Sequence, residues 1–310
     1  MRHIFNTKDF QLKNAAVCLG KFDGIHKGHR FLISKIQDFQ SQGYQSVVFT
    51  FALHPSSLFS DQESFLIDSV EEKAEKLRQL GVDTLISYPF TKETAAMEPE
   101  QFIAEVLVKK IDAKVIIVGN DFHFGRERKG TVDTLKAYAK EYGYQVIAMD
   151  KIADKQEVVS STRIRNAIRN GNMEEAKQLL TVPFAITGEV LHGKKLGRTI
   201  GMPTINQAVE NNKILPPKGV YVSLVHLEDG VHGGITNVGT KPTVSGEEKI
   251  GIETNIFDYA GDLYGKCLRV ELLHYVRGEI KFQNVEALME QMHKDKKFGQ
   301  QYLQVQEDMI

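Results

Sequence analysis

The sequence predicts an α/β, Rossmann-like domain followed by an all-β small barrel with a C-terminal helix. Three observations carry this. Over the first ~180 residues, short apolar runs alternate with segments of helical periodicity, the pattern of strands buried between helices. After about Pro183 the runs become β-branched or alternating and are separated by Gly, Pro, Asn and Asp, which suits an antiparallel sheet or small barrel. A last amphipathic stretch, Val285 to Val305, reads as a helix. The boundary falls near Thr181-Val182-Pro183 and divides the chain into residues 1–183 and 184–310.

The elements follow in order. Ala15–Leu19 is a short apolar run and the first strand. Gly20 to His29 is a glycine-rich turn, and Arg30 to Gln42 is amphipathic and helical. Ser46–Phe51, Thr84–Tyr88, Lys114–Val118 and Gln145–Met149 are the next strands. Between them, Val70–Leu80 carries Val70, Ala74, Leu77 and Leu80 at helical spacing, Pro99–Lys110 starts with proline at a permitted first-turn position, and Thr131–Tyr142 stops at Gly143. Such a chain makes a mostly parallel sheet with helices on both faces. Its ligands sit beyond the carboxyl ends of the strands, where Gly20–His29 falls. In the second half Ala185–Leu191, Val220–Leu227, His232–Val238, Ile250–Phe257 and Leu263–Val276 read as strands.

Composition bounds the function. The 310 residues are 42% hydrophobic and 25% charged, with a net charge of -1, so there is no global basic field for nucleic acid or an anionic membrane. No apolar run approaches the ~18 residues of a spanning helix. Met1–Asn6 lacks a signal-peptide core. Cys18 and Cys267 lie far apart in strand-like runs and read as buried thiols of a cytoplasmic protein.

Two clusters in the first half carry chemistry. His26 and His29, spaced i, i+3, share one face near the positive end of a helix. Gly20, Gly24 and Gly28 let backbone approach a ligand, Asp23 can set the turn, and Phe22 lies within it. Backbone N–H groups and two imidazoles there suit phosphate oxygens, although two capping histidines are the plain alternative. The second cluster is Val159-Ser160-Ser161-Thr162-Arg163-Ile164-Arg165. Ser160 or Ser161 can cap the helix Thr162–Arg169, bringing hydroxyls, N–H groups and two arginines to one helix start; an ordinary capped basic helix is the alternative. In the second half, Gly193-Lys194-Lys195-Leu196-Gly197-Arg198-Thr199-Ile200-Gly201-Met202-Pro203-Thr204-Ile205-Asn206 lacks the P-loop order. Its glycines and cations suit either a phosphate cradle or a basic hairpin.

The G-x-F-D-G-x-H-x-G-H and S-S-T-x-I-R runs together resemble the HxGH nucleotidyltransferases. More narrowly, they resemble the amino-terminal half of the bifunctional prokaryotic riboflavin kinase/FMN adenylyltransferases, or FAD synthetases. Gly119-Asn120-Asp121-Phe122-His123-Phe124-Gly125 is similar to that family's motif after the fourth strand. Phe51-Ala52-Leu53-His54-Pro55 resembles its F-x-P-H-P segment, with Leu53 in place of proline; Lys21 stands where a small or amide residue is usual. The resemblance implies transfer of the adenylyl group of ATP to FMN, giving FAD and pyrophosphate without a protein nucleophile. His26 and His29 would meet the ATP phosphates, Arg163 and Arg165 the β- and γ-phosphates, and Asp121 and Phe122 the nucleotide or flavin. Magnesium would bridge phosphates.

The second half resembles the riboflavin kinase signature, whose P-T-A-N core reads Pro203-Thr204-Ile205-Asn206 here, with isoleucine for alanine. Asn237-Val238-Gly239-Thr240-Lys241-Pro242-Thr243 resembles a second loop of that family. Glu253-Thr254-Asn255-Ile256-Phe257-Asp258 with Asp262-Leu263-Tyr264-Gly265 resembles a third, and Arg277 fits an arginine closing the long strand. The implied reaction is riboflavin and ATP giving FMN and ADP. Glu253 would be the base for the ribityl hydroxyl, Thr204 and Asn206 would hold Mg²⁺ (or Mn²⁺) with ATP, and Arg198 with Gly193 to Gly201 would form a flap. Phe282, Phe298 and Tyr302 would help cover the flavin, or serve as core. Partners are then small molecules, with neither nucleic acid nor membrane, on a monomer or weak homo-oligomer. The competing readings are an enzyme retaining one activity and a flavin-binding regulator without turnover. The histidine pair and Glu253 speak against the second.

Overall fold

A computed structural model describes residues 1–52, 65–193, 201–242 and 248–307. The chain forms two compact units, Met1–Ser161 and Thr162–Ile310.

The first unit is a six-stranded, wholly parallel sheet. In chain order its strands are β1 (Arg2–Phe5), β2 (Ala15–Leu19), β3 (Gln45–Phe51), β4 (Thr84–Tyr88), β5 (Ala113–Gly119) and β6 (Gln145–Met149). Across the sheet they run β1-β4-β3-β2-β5-β6. β2 is buried along its length because successive side chains enter two cores. Ala15, Val17 and Leu19 join Val47, Phe49, Ile103 and Leu135 on one face. Ala16 and Cys18 join Ile33, Ile36, Val48 and Leu77 on the other. Helix α1 (Lys27–Gln37) starts three residues before the predicted amphipathic run, because His26 caps it; Gln40–Gln42 is a separate 3₁₀ turn. Helix α2 (Val70–Gln79) opens with a reciprocal capping box between Ser69 and Glu72. Helix α3 (Lys92–Ala95) is a single turn. Helix α4 (Pro99–Gln101) passes directly into π-helical turns over Phe102–Val108, where a regular helix was expected. Helix α5 (Val132–Tyr142) ends at Gly143. A small hairpin, β7 (Ala153–Asp154) and β8 (Glu157–Val158), leads to α6 (Ser161–Arg169).

The second unit holds α6 from Thr162 onward, α7 (Met173–Leu180) and a closed antiparallel barrel. The barrel strands are β9 (Phe184–Leu191), β10 (Ile205–Gln207), β11 (Gly219–Leu227), β12 (Gly230–Pro242), β13 (Glu248–Ile256) and β14 (Cys267–Arg277), in the order β10-β13-β12-β11-β14-β9. Helix α8 (Val285–Glu307) follows. Thr236, Thr254 and Ser223 are fully buried and share hydroxyl hydrogen bonds of 2.8 and 2.9 Å, which marks the inward rows of β11, β12 and β13. By the period of two, Asn237 and Glu253 lie on the opposite, outward rows.

The cysteines differ from expectation. Both are free, but only Cys18 is buried; Cys267, first in β14, is exposed.

Candidate functional site

In the parallel sheet the chain runs one way from β2 to β3 and β4 and the other way to β5 and β6, so the switch point lies between β2 and β5. Ligands of open α/β sheets bind there, beyond the strand ends. The two segments leaving it are Gly20–His29 and Asn120–Gly125.

The first of these turns is held from below. Phe22 is fully buried at a positive φ of 47°, and Gly24 has φ 66° with Ile67 too close to admit a Cβ. Asp23, 2% exposed, accepts hydrogen bonds from the backbone N–H groups of Ile67 (2.8 Å) and Asp68 (3.4 Å). Asp68 accepts from the Ile25 N–H at 3.2 Å and pairs with the buried Lys76 at 2.5 Å. The Ser161 hydroxyl donates to the Asp23 carbonyl at 2.7 Å, so the second motif begins at this turn. Asp23 therefore sets the turn through residues 67–68, and Ser161 serves the turn.

His26 is the N-cap of α1: its Nδ1 accepts the His29 backbone N–H at 3.3 Å. The Gly28 backbone lies beneath the ring, where a Cβ would come within 3.1 Å. His29 Nδ1 lies 3.0 Å from the Gly24 carbonyl oxygen. The two imidazoles stack with centroids 3.7 Å apart. Burial pushes the His26 pKa down to about 4. Burial first, then His26 itself, hold His29 well below the usual histidine range. Both rings are thus neutral near pH 7 when no ligand is bound. A small cleft at the same turn is lined by Lys21, Asp23, Thr50, Asp68, Lys73 and Ser87 among others. Lys73 donates to the Lys21 carbonyl at 3.2 Å, and burial depresses its ammonium against the pull of Asp23 and Asp68.

After β5, Phe122 is half-buried and stacks on Phe124 at 5.7 Å, while Phe51 meets Phe90 edge-on at 4.7 Å. Asp121 is exposed; a hydrogen bond from Lys151 at 2.8 Å holds its carboxyl below the usual range. Leu53, His54 and Pro55 lie outside the described residues, as do Thr243 and Lys194 to Ile200 with Arg198.

In the second unit the barrel register brings the candidates together. Glu253 on β13 stands directly opposite Asn206 on β10 and directly opposite Asn237 on β12. Residues so paired hold their Cβ atoms ~5 Å apart. All three are half-buried. Gly193 lies against Asn206, where a Cβ would sit 2.4 Å from the amide nitrogen. Asn255 Nδ2 donates to the Pro203 carbonyl at 2.8 Å and fixes the turn that presents Thr204; exposed Gly201 (φ 73°) precedes it. Two arginines are engaged with acids. Arg277 forks onto the buried Asp295 of α8 at 2.6 to 3.2 Å. Arg163 meets Glu175 at 2.9 and 3.0 Å. Arg165 and Thr162 lie on α6 in the same unit, and Ser160 lies just before that helix.

Sequence reasoning missed Asp68, Lys73 and Asp295, and quoted Asn255 within a motif without giving it a role. Only α2 offered a signal: Lys73 and Lys76 occupy positions where the helix turns toward the core.

The histidine pair at the switch point of a parallel sheet and the acid-amide row on a closed barrel are two candidate sites, one in each unit, on folds that suit an enzyme of small-molecule substrates. The comparisons agree. Residues 8–163 match the FAD synthetase family model and residues 180–303 the riboflavin kinase model. The chain is 35% identical over 301 residues to the bifunctional riboflavin kinase/FMN adenylyltransferase of Bacillus subtilis (strain 168), covering 95% of this chain and 94% of that one. It is 34% identical over 298 residues to the protein of the same description from Listeria monocytogenes, covering 95% and 94%. A crystal structure from Streptococcus pneumoniae, described as a macrolide-efflux protein, superposes with a TM-score of 0.85 at 34% identity, covering 96% of this chain and 98% of that one. Among the described residues no helix is long and apolar enough to cross a membrane. The chain belongs to the bifunctional riboflavin kinase/FMN adenylyltransferase family.

Proposed function

We propose the following distribution of residues over the two reactions of this bifunctional enzyme, riboflavin and ATP giving FMN and ADP, then FMN and ATP giving FAD and pyrophosphate. We divide them as residues 184–310 for the kinase and 1–183 for adenylyl transfer.

In the kinase, Glu253 takes the proton of the ribityl hydroxyl as it attacks the γ-phosphorus. Asn237 and Asn206, on either side, orient carboxylate and phosphate. Thr204 and Asn206 offer a hydroxyl and an amide oxygen, a donor set suited to a hard divalent cation, and Asn255 and Gly193 hold both in place. Bound magnesium neutralises phosphate charge; manganese meets the same donors. Arg277 acts through Asp295, tying α8 to the barrel. On the strength of the resemblance alone, Arg198, Gly193 and Gly201 are assigned to the flap and Pro203 to the ATP-binding core.

In adenylyl transfer the FMN phosphate displaces pyrophosphate from the α-phosphorus. His26, His29 and the N–H groups opening α1 neutralise the developing charge. The half-buried faces of Phe51 and Phe122 suit a flavin ring. Arg163, Arg165 and Asp121 enter this reading through the resemblance alone. Two free cysteines, one exposed, suit a reducing cytoplasm. A closed barrel without strand edges suits a monomer or weak homo-oligomer.

The barrel register, with Asn206, Glu253 and Asn237 in one row, is the observation that carries the assignment. The test incubates the protein with riboflavin, ATP and magnesium and resolves flavins over time. FMN appears first and converts to FAD. FAD formed from supplied FMN without any conversion of riboflavin would remove the kinase assignment, and FMN accumulating alone would remove the other.

A further inference from the structure

The two histidines of the turn are not equivalent, and their hydrogen bonds say how. His26 Nδ1 accepts the His29 backbone N–H, so it holds a lone pair and cannot carry a proton while it caps the helix. His26 is therefore a neutral ring with its proton on Nε2. His29 has the opposite arrangement. Its Nδ1 faces the Gly24 carbonyl oxygen, which can only accept, so Nδ1 carries the proton and Nε2 of the neutral ring carries the lone pair. Among the described residues neither Nε2 has a hydrogen-bond partner.

A phosphate oxygen arriving at this pair finds a donor on His26 and a lone pair on His29. The second contact is repulsive unless His29 gains a proton. With the rings stacked at 3.7 Å, two cations would repel, and the cap bond excludes His26 as the carrier. The groups facing His29 are the His26 ring, the Gly24 carbonyl, the Phe22 ring at 4.9 Å, Lys73 from α2 and Asp68 just before it. Burial, His26 and Lys73 oppose a proton there, while Asp68 and the Gly24 carbonyl favour one. The balance is against protonation until an anion arrives.

We propose that binding of a nucleoside triphosphate at this turn takes up one proton from solvent onto His29 Nε2, so that His29 meets the phosphates as an imidazolium and His26 meets them as a neutral donor. The proton returns to solvent when pyrophosphate leaves, so none is consumed in turnover. This rests on the reading of the turn as the adenylyl-transfer site. Above pH 7, where the triphosphate itself is fully ionised, affinity at this site falls tenfold per pH unit.

The experiment titrates the full chain with α,β-methylene ATP and Mg²⁺ at pH 7.5 by calorimetry, in buffers of different ionisation enthalpy. Wild type and His29→Asn are compared, so the kinase site cancels. The expected difference is close to one proton. Equal proton uptake in the two proteins, with adenylyl transfer lost in His29→Asn, overturns the inference. Wild-type adenylyl transfer in His29→Asn instead removes the reading of the site. Nitrogen NMR of the wild-type imidazoles needs no variant. His29 Nε2 changes from lone-pair to protonated character on adding the analogue, and an Nε2 that keeps its lone pair refutes the proposal.

Discussion

Gly193→Ala tests how closely the kinase depends on Asn206. A Cβ at position 193 would sit 2.4 Å from Asn206 Nδ2 and 2.9 Å from its Cγ, whereas ordinary contact begins near 3.4 Å. The amide must therefore retreat by about 1 Å, and a misplacement of that size in a positioning group costs ~10²-fold in rate. The amide is the end of a short side chain, so rotation of Asn206 relieves the clash and the barrel persists. The assay follows FMN formation from riboflavin and ATP, FAD formation from supplied FMN, and the melting curve. FMN formation falls about a hundredfold, while the other two stay as in wild type. Kinase activity within twofold of wild type would show that the position of Asn206 does not matter, and the row of three facing residues would lose its meaning.

Three further outcomes are expected. Glu253→Gln keeps shape but removes the base, so FMN formation drops by ~10²–10⁴-fold with adenylation of supplied FMN unchanged; parallel loss of both activities contradicts the assignment. Asp295→Ala strands the Arg277 guanidinium at a buried pair, costing ~3 kcal/mol, and a melting scan should show the barrel unit unfolding roughly 10 °C lower. Stability of the first unit depends on His26, whose pKa is about 4 in the fold and about 6.5 in the unfolded chain. Below pH 6.5 the unfolded chain binds the extra proton, so stability falls with pH by up to ~3 kcal/mol at pH 4 and below. Denaturant titrations across that range should show the slope, and His26→Asn, which keeps an acceptor for the cap, should reduce it, leaving the part that buried His29 contributes in the same direction.

Much of this was legible along the chain. β2, β4 and β6 begin and end where their apolar runs do, and the outward row of the barrel contains residues already marked by their motifs. What escaped depends on partners distant in sequence. β1 is four residues long and, among the described residues, β4 is its strand partner, with Ile4 packed in the core. β10, of three residues, exists because β9 and β13 flank it. Asp295 lies in a helix of ordinary polarity and matters because Arg277 reaches it. Asp68 and Lys76 look like a solvated helix start until the fold buries them.

The pairing of β1 with β4 also bears on synthesis of the chain. Arg2 lies opposite Thr84, so β1 must wait for more than eighty further residues before the hydrogen bonds of this pairing can form. At ~5–20 residues per second that is several seconds during which Ile4 and Phe5 have no sheet to join. The ribosome-bound chain therefore carries an unpaired apolar strand, and slowing translation ahead of Tyr88 should lengthen its exposure to chaperones and raise the misfolded fraction.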